Sequence, residues 1–562
     1  MKFQYIILFL FFLPLIARTQ QVFDFSDTAV ERRIKKDIMI LASDSLMGRE
    51  AGTEGEIKAI DYIVNSYEEI GIKPAFKDGS YLQSFTFMAT PTYGDSNFLK
   101  IGKKIFKLEK DFFPLPYSAN GSISGELVRV GYGIIIPEMN YDDYKNNPDI
   151  NKGKIFVIET SIPREHASDS LFLKYVNLQK KVDTAVAKGA AGIIFINSSR
   201  YSADPSKYLG MRAFSVSIPV IFADRAVCKQ ILKGKKYNAD VKVNIIRKTN
   251  TAYNIAGYID NNALSTIVIG GHYDHLGYGK ENSMYTGNIP MIHNGADDNA
   301  SGTAAVIEMA RYFINSPKKN NNYLFINFSA EEKGLIGSSY FVKSDELDLT
   351  KINYMVNIDM IGRYDTSKAG LDIIGSGTSL VWDTLISLAP HQGLKVKKTK
   401  SGFDGSDQMS FYLKDIPVLF FFTGIHADYH KPSDDADKLN YSGEAEIIRY
   451  AEKIIEKTDT MGKIPFSKTV DPSSKRSFFS VTLGVVPDHS HDGKGMRIEG
   501  VLNDKPAIKA GLKTGDIVIK IGDYDVFEIM SYMKALSKFK KGDKTTVVVK
   551  RGEETLTKEI EF

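Results

Sequence analysis

The 562-residue chain contains a single cysteine, Cys228, which excludes an intramolecular disulfide and any metal site built from several thiolates. Stability outside the cytoplasm must then come from packing or metal, and metal ligands must be His, Asp and Glu. An excess of one charge is also missing. Lys and Arg number 72 against 68 Asp and Glu, a net charge of +4, which gives no support for a nucleic-acid partner or a polybasic membrane contact. Beyond the N-terminus no apolar run is long enough to span a bilayer. Hydrophobic residues at 43% and charged residues at 25% are ordinary globular values, and the length suits three or four domains.

The N-terminus reads as an export signal over residues 1–20. Lys2 supplies a positive start, Tyr5 to Ile16 an apolar run broken by Pro14, and Ala17-Arg18-Thr19-Gln20 the end. The leader has no cysteine for lipid attachment, so the expected product is exported, periplasmic or extracellular, with no stable membrane span. Ile34, Ile38 and Leu41 then recur at helical spacing, and Thr53 with Glu56 forms a capping-box pattern for a second helix that Gly71 should stop.

From about Pro116 the pattern changes to short strands around one expected helix, Leu171 to Lys188. From Thr251 to Met461 apolar strands alternate with amphipathic helices, the signature of a sheet covered on both faces. Ser265–Gly270, Tyr323–Phe328, Tyr354–Ile358 and Val418–Phe422 are buried strands, followed by His272 and Asp274, by Glu331 and Glu332, by Asp359, and by His430. A fifth group, Asp297-Asp298-Asn299-Ala300-Ser301-Gly302, precedes a helix expected over Thr303–Phe313. Open α/β sheets bind ligands beyond the carboxyl ends of their strands, so these groups should converge on one crevice. Oxygen donors mixed with imidazoles and no sulfur suit zinc, with manganese or cobalt possible.

These residues carry a resemblance. Gly270-Gly271-His272-Tyr273-Asp274-His275, the Asp297–Gly302 turn, Ser329-Ala330-Glu331-Glu332-Lys333-Gly334, Asn357-Ile358-Asp359-Met360 and Tyr429-His430 stand in the order of the di-zinc aminopeptidases related to bacterial leucyl aminopeptidases and glutamate carboxypeptidases. Leu41-Ala42-Ser43-Asp44 with Gly48-Arg49 also looks familial. The resemblance implies two zinc ions. Asp298 would bridge them, Glu332 and His430 would complete one shell, and His272 and Asp359 the other. It further implies that Asp274 orients His272, that Glu331 is the general base for a metal-bridging hydroxide, and that the Asp298–Asn299 peptide is cis. Tyr429 would either stabilise the oxyanion or pack beside His430. His275, His293 and His426 are expected as neighbours or walls, and Met355 and Met360 as core fillers. Near Ser406-Asp407-Gln408 the sequence departs from relatives that carry His after Asp.

The 116–246 block resembles a protease-associated α+β domain through Gly153–Ile158, Gly189–Phe195 and Ile218-Pro219-Val220. The C-terminal Ala510-Gly511-Leu512-Lys513-Thr514-Gly515-Asp516 string resembles a bacterial PDZ domain, whose amides near Leu483 and Gly484 could take a peptide C-terminus, or which could be a packing module. The expected organisation is a leader over 1–20, a catalytic mixed-sheet α/β domain over 21–115 and 247–462 with the 116–246 block inserted, a linker over 463–476 and PDZ over 477–562. The expected activity is removal of N-terminal residues from peptides. The alternatives are a dipeptidase or carboxypeptidase on the same metal core, or a receptor-like homologue without activity.

Overall fold

A computed structural model describes residues 23–145, 152–199, 202–205, 207, 209, 216–233, 237–287, 289–367, 370–391, 393–469, 481–488, 491, 494–501, 505–527, 529–536 and 538–562. The expected leader and residues 470–476 of the expected linker lie outside them. Among the described residues no helix is long and apolar enough to cross a membrane. The chain forms two compact units. One takes in the chain up to Gln83 with Asn254–Glu331 and Phe341–Thr469; the other takes in Ser84–Tyr253, Glu332–Tyr340 and Val470–Phe562.

The first unit is built on a mixed sheet. Its parallel centre runs Asn322–Phe328, Thr266–His272, Ile352–Ile358 and Val418–Phe422, each strand hydrogen-bonded to the next. Leu371–Ile374 runs antiparallel to Val418–Phe422 and parallel to Val396–Thr399, and the Asn322–Phe328 strand pairs antiparallel with Thr249–Ile259. Side chains of a strand alternate between faces, and the central strands are buried on both. On one face Val268, Leu324, Ile326 and Met355 pack with Phe411 and Tyr412 of the helix Gln408–Tyr412. On the other, Tyr323 stacks on Phe313 of the helix Gly302–Ile314, and Tyr354 meets Trp382 of Trp382–Leu388 edge-on. The fold is thus the α/β architecture expected, with helices on both faces, and Met355 and Met360 are buried fillers.

Asp27–Leu41 and Glu54–Ile70 are helices, the second ending on Gly71 in the left-handed conformation. The capping box is not made. Thr53 Oγ1 donates to the Glu50 carbonyl at 2.6 Å, and Glu56 accepts the Gly52 N–H at 2.6 Å. Glu56 is fully buried, and its other oxygen accepts the hydroxyls of Ser329 at 2.6 Å and Tyr273 at 3.0 Å. Strong donors inside the fold outcompete the local reach back to Thr53.

In the second unit one sheet holds four parallel strands, Gly121–Gly131, Ile155–Glu159, Gly192–Ile196 and Val220–Ala223. Phe112–Pro114 pairs antiparallel at one edge, and Asn238–Val243, Phe98–Ile101 and Lys104–Phe106 follow at the other. The single helix expected over Leu171–Lys188 is divided. Asn177 is extended, its side chain accepts the Gln179 N–H, and the helix Leu178–Ala187 starts afresh from that cap. A separate sheet of six strands covers Val485–Glu561. There Asp516 of the Gly-Asp string is buried and paired with Arg551, and the Gly484 N–H donates to Thr482 Oγ1 at 3.0 Å.

One close approach fixes the spacing of the ligand-bearing strands. A Cβ on Gly271 would lie 2.4 Å from the Ile358 carbonyl oxygen, which is backbone and cannot rotate away. Gly271→Ala should therefore destabilise the protein by about 1–3 kcal/mol in urea unfolding. An unchanged midpoint would show that the strands separate freely.

Candidate metal centre

Parallel pairing sets His272 opposite Phe328, Gly270 opposite Asn357 and Ile358 opposite Phe421. The residues next in line, Glu331, Asp359 and the Thr423–Asp434 loop, therefore issue from one row of strand ends. Across that row lies the turn Ala296–Ser301, all of it buried, with a cis Asp298–Asn299 peptide as the resemblance implied.

The two oxygens of Asp298 face different imidazoles. His272 Nε2 lies 3.4 Å from Oδ1, and His430 Nε2 lies 3.3 Å from Oδ2. In both rings the other nitrogen is engaged by a carbonyl: His272 Nδ1 by Asp274 O at 3.1 Å, His430 Nδ1 by Asn282 O at 2.7 Å. A proton held there leaves the Nε2 lone pair pointing inward. Asp359 Oδ1 is 3.3 Å from His272 Nε2, so ligand atoms of His272, Asp298 and Asp359 all lie within 4.8 Å of one another. Ser406 Oγ donates to Asp359 Oδ2 at 2.8 Å, while the buried Oδ1 has no hydrogen-bond partner.

Burial would push the His272 imidazole down, but Asp359, Glu331 and Asp298 around it outweigh burial and hold it well above its ordinary value. Burial would raise Asp298, yet His275, His272 and His430 hold its carboxyl well below the usual range. In this arrangement an imidazole proton balances the surrounding carboxylates. A divalent ion would replace that proton, and the donor set of imidazole and carboxylate fits zinc, with manganese and cobalt compatible.

The turn carrying Asp298 is pinned from several sides. Asn299 donates to the Ile358 carbonyl at 3.0 Å and accepts from Met360 N and Gly302 N; Asp297 Oδ1 accepts the Gly362 N–H at 2.7 Å. Asp434, four residues beyond His430, accepts the N–H groups of Asp297 at 2.9 Å and Asp298 at 3.1 Å on one oxygen. His426 Nδ1 accepts the Asp428 N–H, which leaves Nε2 to carry the proton 3.2 Å from Asp297 Oδ2. Asp297 thus has backbone and His426 as neighbours, and burial together with Asp434 pushes its carboxyl up to about 6 against the pull of His426. Glu444 is fully buried, neither oxygen has a hydrogen-bond partner, and burial and then Asp297 hold its carboxyl well above the usual range.

Glu331 sits where the 322–328 strand has ended, its N–H donating to Asp274 Oδ1 at 3.1 Å. The Asp274 carboxylate is 3.7 Å from His272 Nδ1, so its carbonyl makes the closer contact with that ring. Glu332 is the next residue and opens the stretch assigned to the second unit. Tyr429 stacks on His430, ring centroids 3.8 Å apart. His275 Nδ1 is 3.9 Å from Asp298 Oδ2, nearer than its expected wall role required, whereas His293 is held by Ser283 and Met291. Glu56, Asp434, Ser406 and Glu444 were not legible as site residues.

Asp434→Ala leaves two buried N–H groups without their acceptor and should cost about 2–6 kcal/mol in denaturant unfolding, since each such group is worth roughly 1–3 kcal/mol. Asp434→Asn keeps an acceptor oxygen and should lose less than half as much; equal losses would show that charge, not the hydrogen bonds, matters.

Family models match three segments: peptidase family M28 over residues 254–455, the PA domain over 123–231 and the PDZ domain over 481–562. An aminopeptidase of Pseudomonas aeruginosa is 26% identical over 439 residues, 74% of this chain and 73% of that protein. A probable lipoprotein aminopeptidase of Mycobacterium tuberculosis is 25% identical over 460 residues, 78% of this chain and 82% of that protein. A zinc aminopeptidase structure from Bacillus subtilis, 20% identical, aligns with 80% of this chain and 98% of that one at a TM-score of 0.47. Residues 254–455 are a peptidase family M28 domain, and the chain joins it to a PA domain and a PDZ domain.

Proposed function

We propose that the protein is an exported metallo-aminopeptidase, removing N-terminal residues from peptides at a centre of two zinc ions. The observation that carries this is Asp298, a buried carboxylate whose oxygens face two different imidazoles, His272 and His430, as a carboxylate shared by two cations would. Asp359 joins His272, and we assign Glu332, beside Glu331 in the chain, to the ion of His430. Aminopeptidase names on relatives aligned over about three quarters of their length support the same reading. The reading of residues 1–20 as an export signal supports the location.

Bound there, the ions would supply Lewis acidity toward the scissile carbonyl and lower the pKa of coordinated water toward about 7. The chain's own groups do the rest. Glu331, whose charge already reaches His272, accepts the proton of the attacking water and returns it to the leaving amine, which breaks the C–N bond. Asp274 holds both the His272 ring and the Glu331 backbone, so base and ligand keep one spacing. Tyr429, fixed by its stack on His430, offers a hydroxyl to the developing oxyanion. The PDZ domain would present a site for a peptide C-terminus.

Profiling the purified enzyme on free and end-blocked peptides tests the activity: N-terminal blocking should abolish hydrolysis and C-terminal blocking should not. Glu331→Gln should keep both metals and lower kcat by about 10²- to 10⁴-fold. Glu332→Ala should instead weaken occupancy of one ion, with activity partly restored by added zinc. A Glu331→Gln enzyme that loses zinc while Glu332→Ala keeps it would reverse the roles. Deleting residues 478–562 should leave zinc content and hydrolysis of a small chromogenic amide largely intact, because every proposed ligand precedes Gly462; loss of both metals from a folded deletion variant would contradict the assignment.

A further inference from the structure

Arg49 is fully buried, at 0% exposure, far along the chain from every proposed ligand. Its guanidinium donates to four main-chain carbonyls: Nε to Tyr273 at 2.7 Å, Nη1 to Leu41 at 2.6 Å and Asn294 at 2.7 Å, and Nη2 to Gly295 at 2.9 Å. Tyr273 stands between His272 and Asp274, and Gly295 lies three residues before Asp298. One rigid, planar cation therefore ties the strand end that presents His272 to the turn that presents Asp298.

The surrounding backbone is shaped for this. Met47, Gly48 and Arg49 all have positive φ, 52°, 70° and 50°, a conformation that non-glycine residues adopt only when the surroundings impose it. The Arg49 carbonyl accepts the His275 N–H at 3.3 Å and the Gly48 carbonyl accepts the Gly277 N–H at 3.0 Å, so this strap also lies along the 275–277 segment. A Cβ on Gly48 would fall 2.6 Å from the His293 carbonyl and 2.7 Å from that of Gly277. Burying a charge is unfavourable unless every donor is satisfied, and these carbonyls meet the fork of guanidinium N–H groups in directions a lysine ammonium cannot reproduce from one point.

We propose that Arg49 is a positioning residue of the metal centre: its guanidinium sets the separation of the His272 and Asp298 backbones, and metal affinity depends on that separation. The inference rests on the two-metal reading above. It makes the N-terminal segment, which supplies no ligand, part of the metal-binding apparatus.

The test uses the full chain stripped of metal. Zinc affinity is measured by competition with a chromophoric chelator, cobalt is added to record the visible absorption that reports ligand geometry, and thermal unfolding of the metal-free protein is followed in parallel. Arg49→Lys keeps charge and stem but loses the fork; Arg49→Met loses both. Each should bind zinc about 10- to 100-fold more weakly than wild type, the range usual for groups that orient ligands, and shift the cobalt spectrum. Wild-type affinity and spectrum in Arg49→Lys, with only a lowered melting temperature, would overturn the proposal. So would an Arg49→Lys chain that fails to fold even at saturating zinc, because Arg49 would then be a folding residue. If the wild-type chain takes up no zinc, the metallopeptidase reading fails instead.

Discussion

Too many carboxylates share one low-dielectric volume for all of them to be left to themselves. Asp274, Asp297, Asp298, Asp359, Asp434 and Glu444 are buried around a single row of strand ends. Each oxygen there must find an N–H, a hydroxyl, a cation or a proton. The fold answers oxygen by oxygen. Asp434 takes backbone amides, Asp274 takes the Glu331 amide, and Asp359 takes Ser406 on one side only. Asp359 Oδ1 and the pair on Asp298 are the oxygens that the imidazoles of His272 and His430 approach, whereas both oxygens of Glu444 lack a hydrogen-bond partner and burial favours its protonated form. The carboxylates thus divide between those neutralised by donors or a proton and those that face imidazoles, the donor mixture that would suit a metal.

The turn from Gly295 to Gly302 is where that selection is enforced, because it is held by elements remote from one another in sequence. Asn299 and Asp297 tie it to the 358–362 segment, Asp434 ties it to the loop of His430, and Arg49 ties its approach to the strand of His272. Such a turn has little freedom to relax when one tie is altered. That rigidity is suited to a site whose partners must sit within a fraction of an ångström of their working positions.

The strand ends before His272, Glu331 and Asp359 were legible in the sequence, because strands announce themselves through apolar runs bounded by turns, while the roles of those residues came from the resemblance alone. The central strands fell within two residues of their expected bounds, and the helix after Ser301 within one. What escaped was the layer behind them. Glu56 matched a local capping pattern, and only the tertiary structure shows it bonded to Tyr273 and Ser329. Ser406 is an ordinary residue in an ordinary loop until Asp359 is placed beside it. Asn177 divided an apolar stretch that periodicity alone reads as one helix, because a side-chain cap outweighs a weak helical preference. Contacts between residues hundreds of positions apart leave no periodic trace, so a residue that acts through another is invisible to pattern and visible only in space.

At the sheet edge Lys73 and Pro74 pair with Tyr258 and Gly257, so the chain leaves this unit and returns to it at adjacent points. An excursion that begins and ends side by side is almost independent of its length, since the entropy of closing a loop grows only logarithmically, about 0.6 kcal/mol for each doubling. Everything between those points can lengthen, shorten or be exchanged with little thermodynamic consequence for the sheet that bears the ligands. The edge pairing acts as a socket: the sheet itself closes the base of the excursion, whatever the excursion contains.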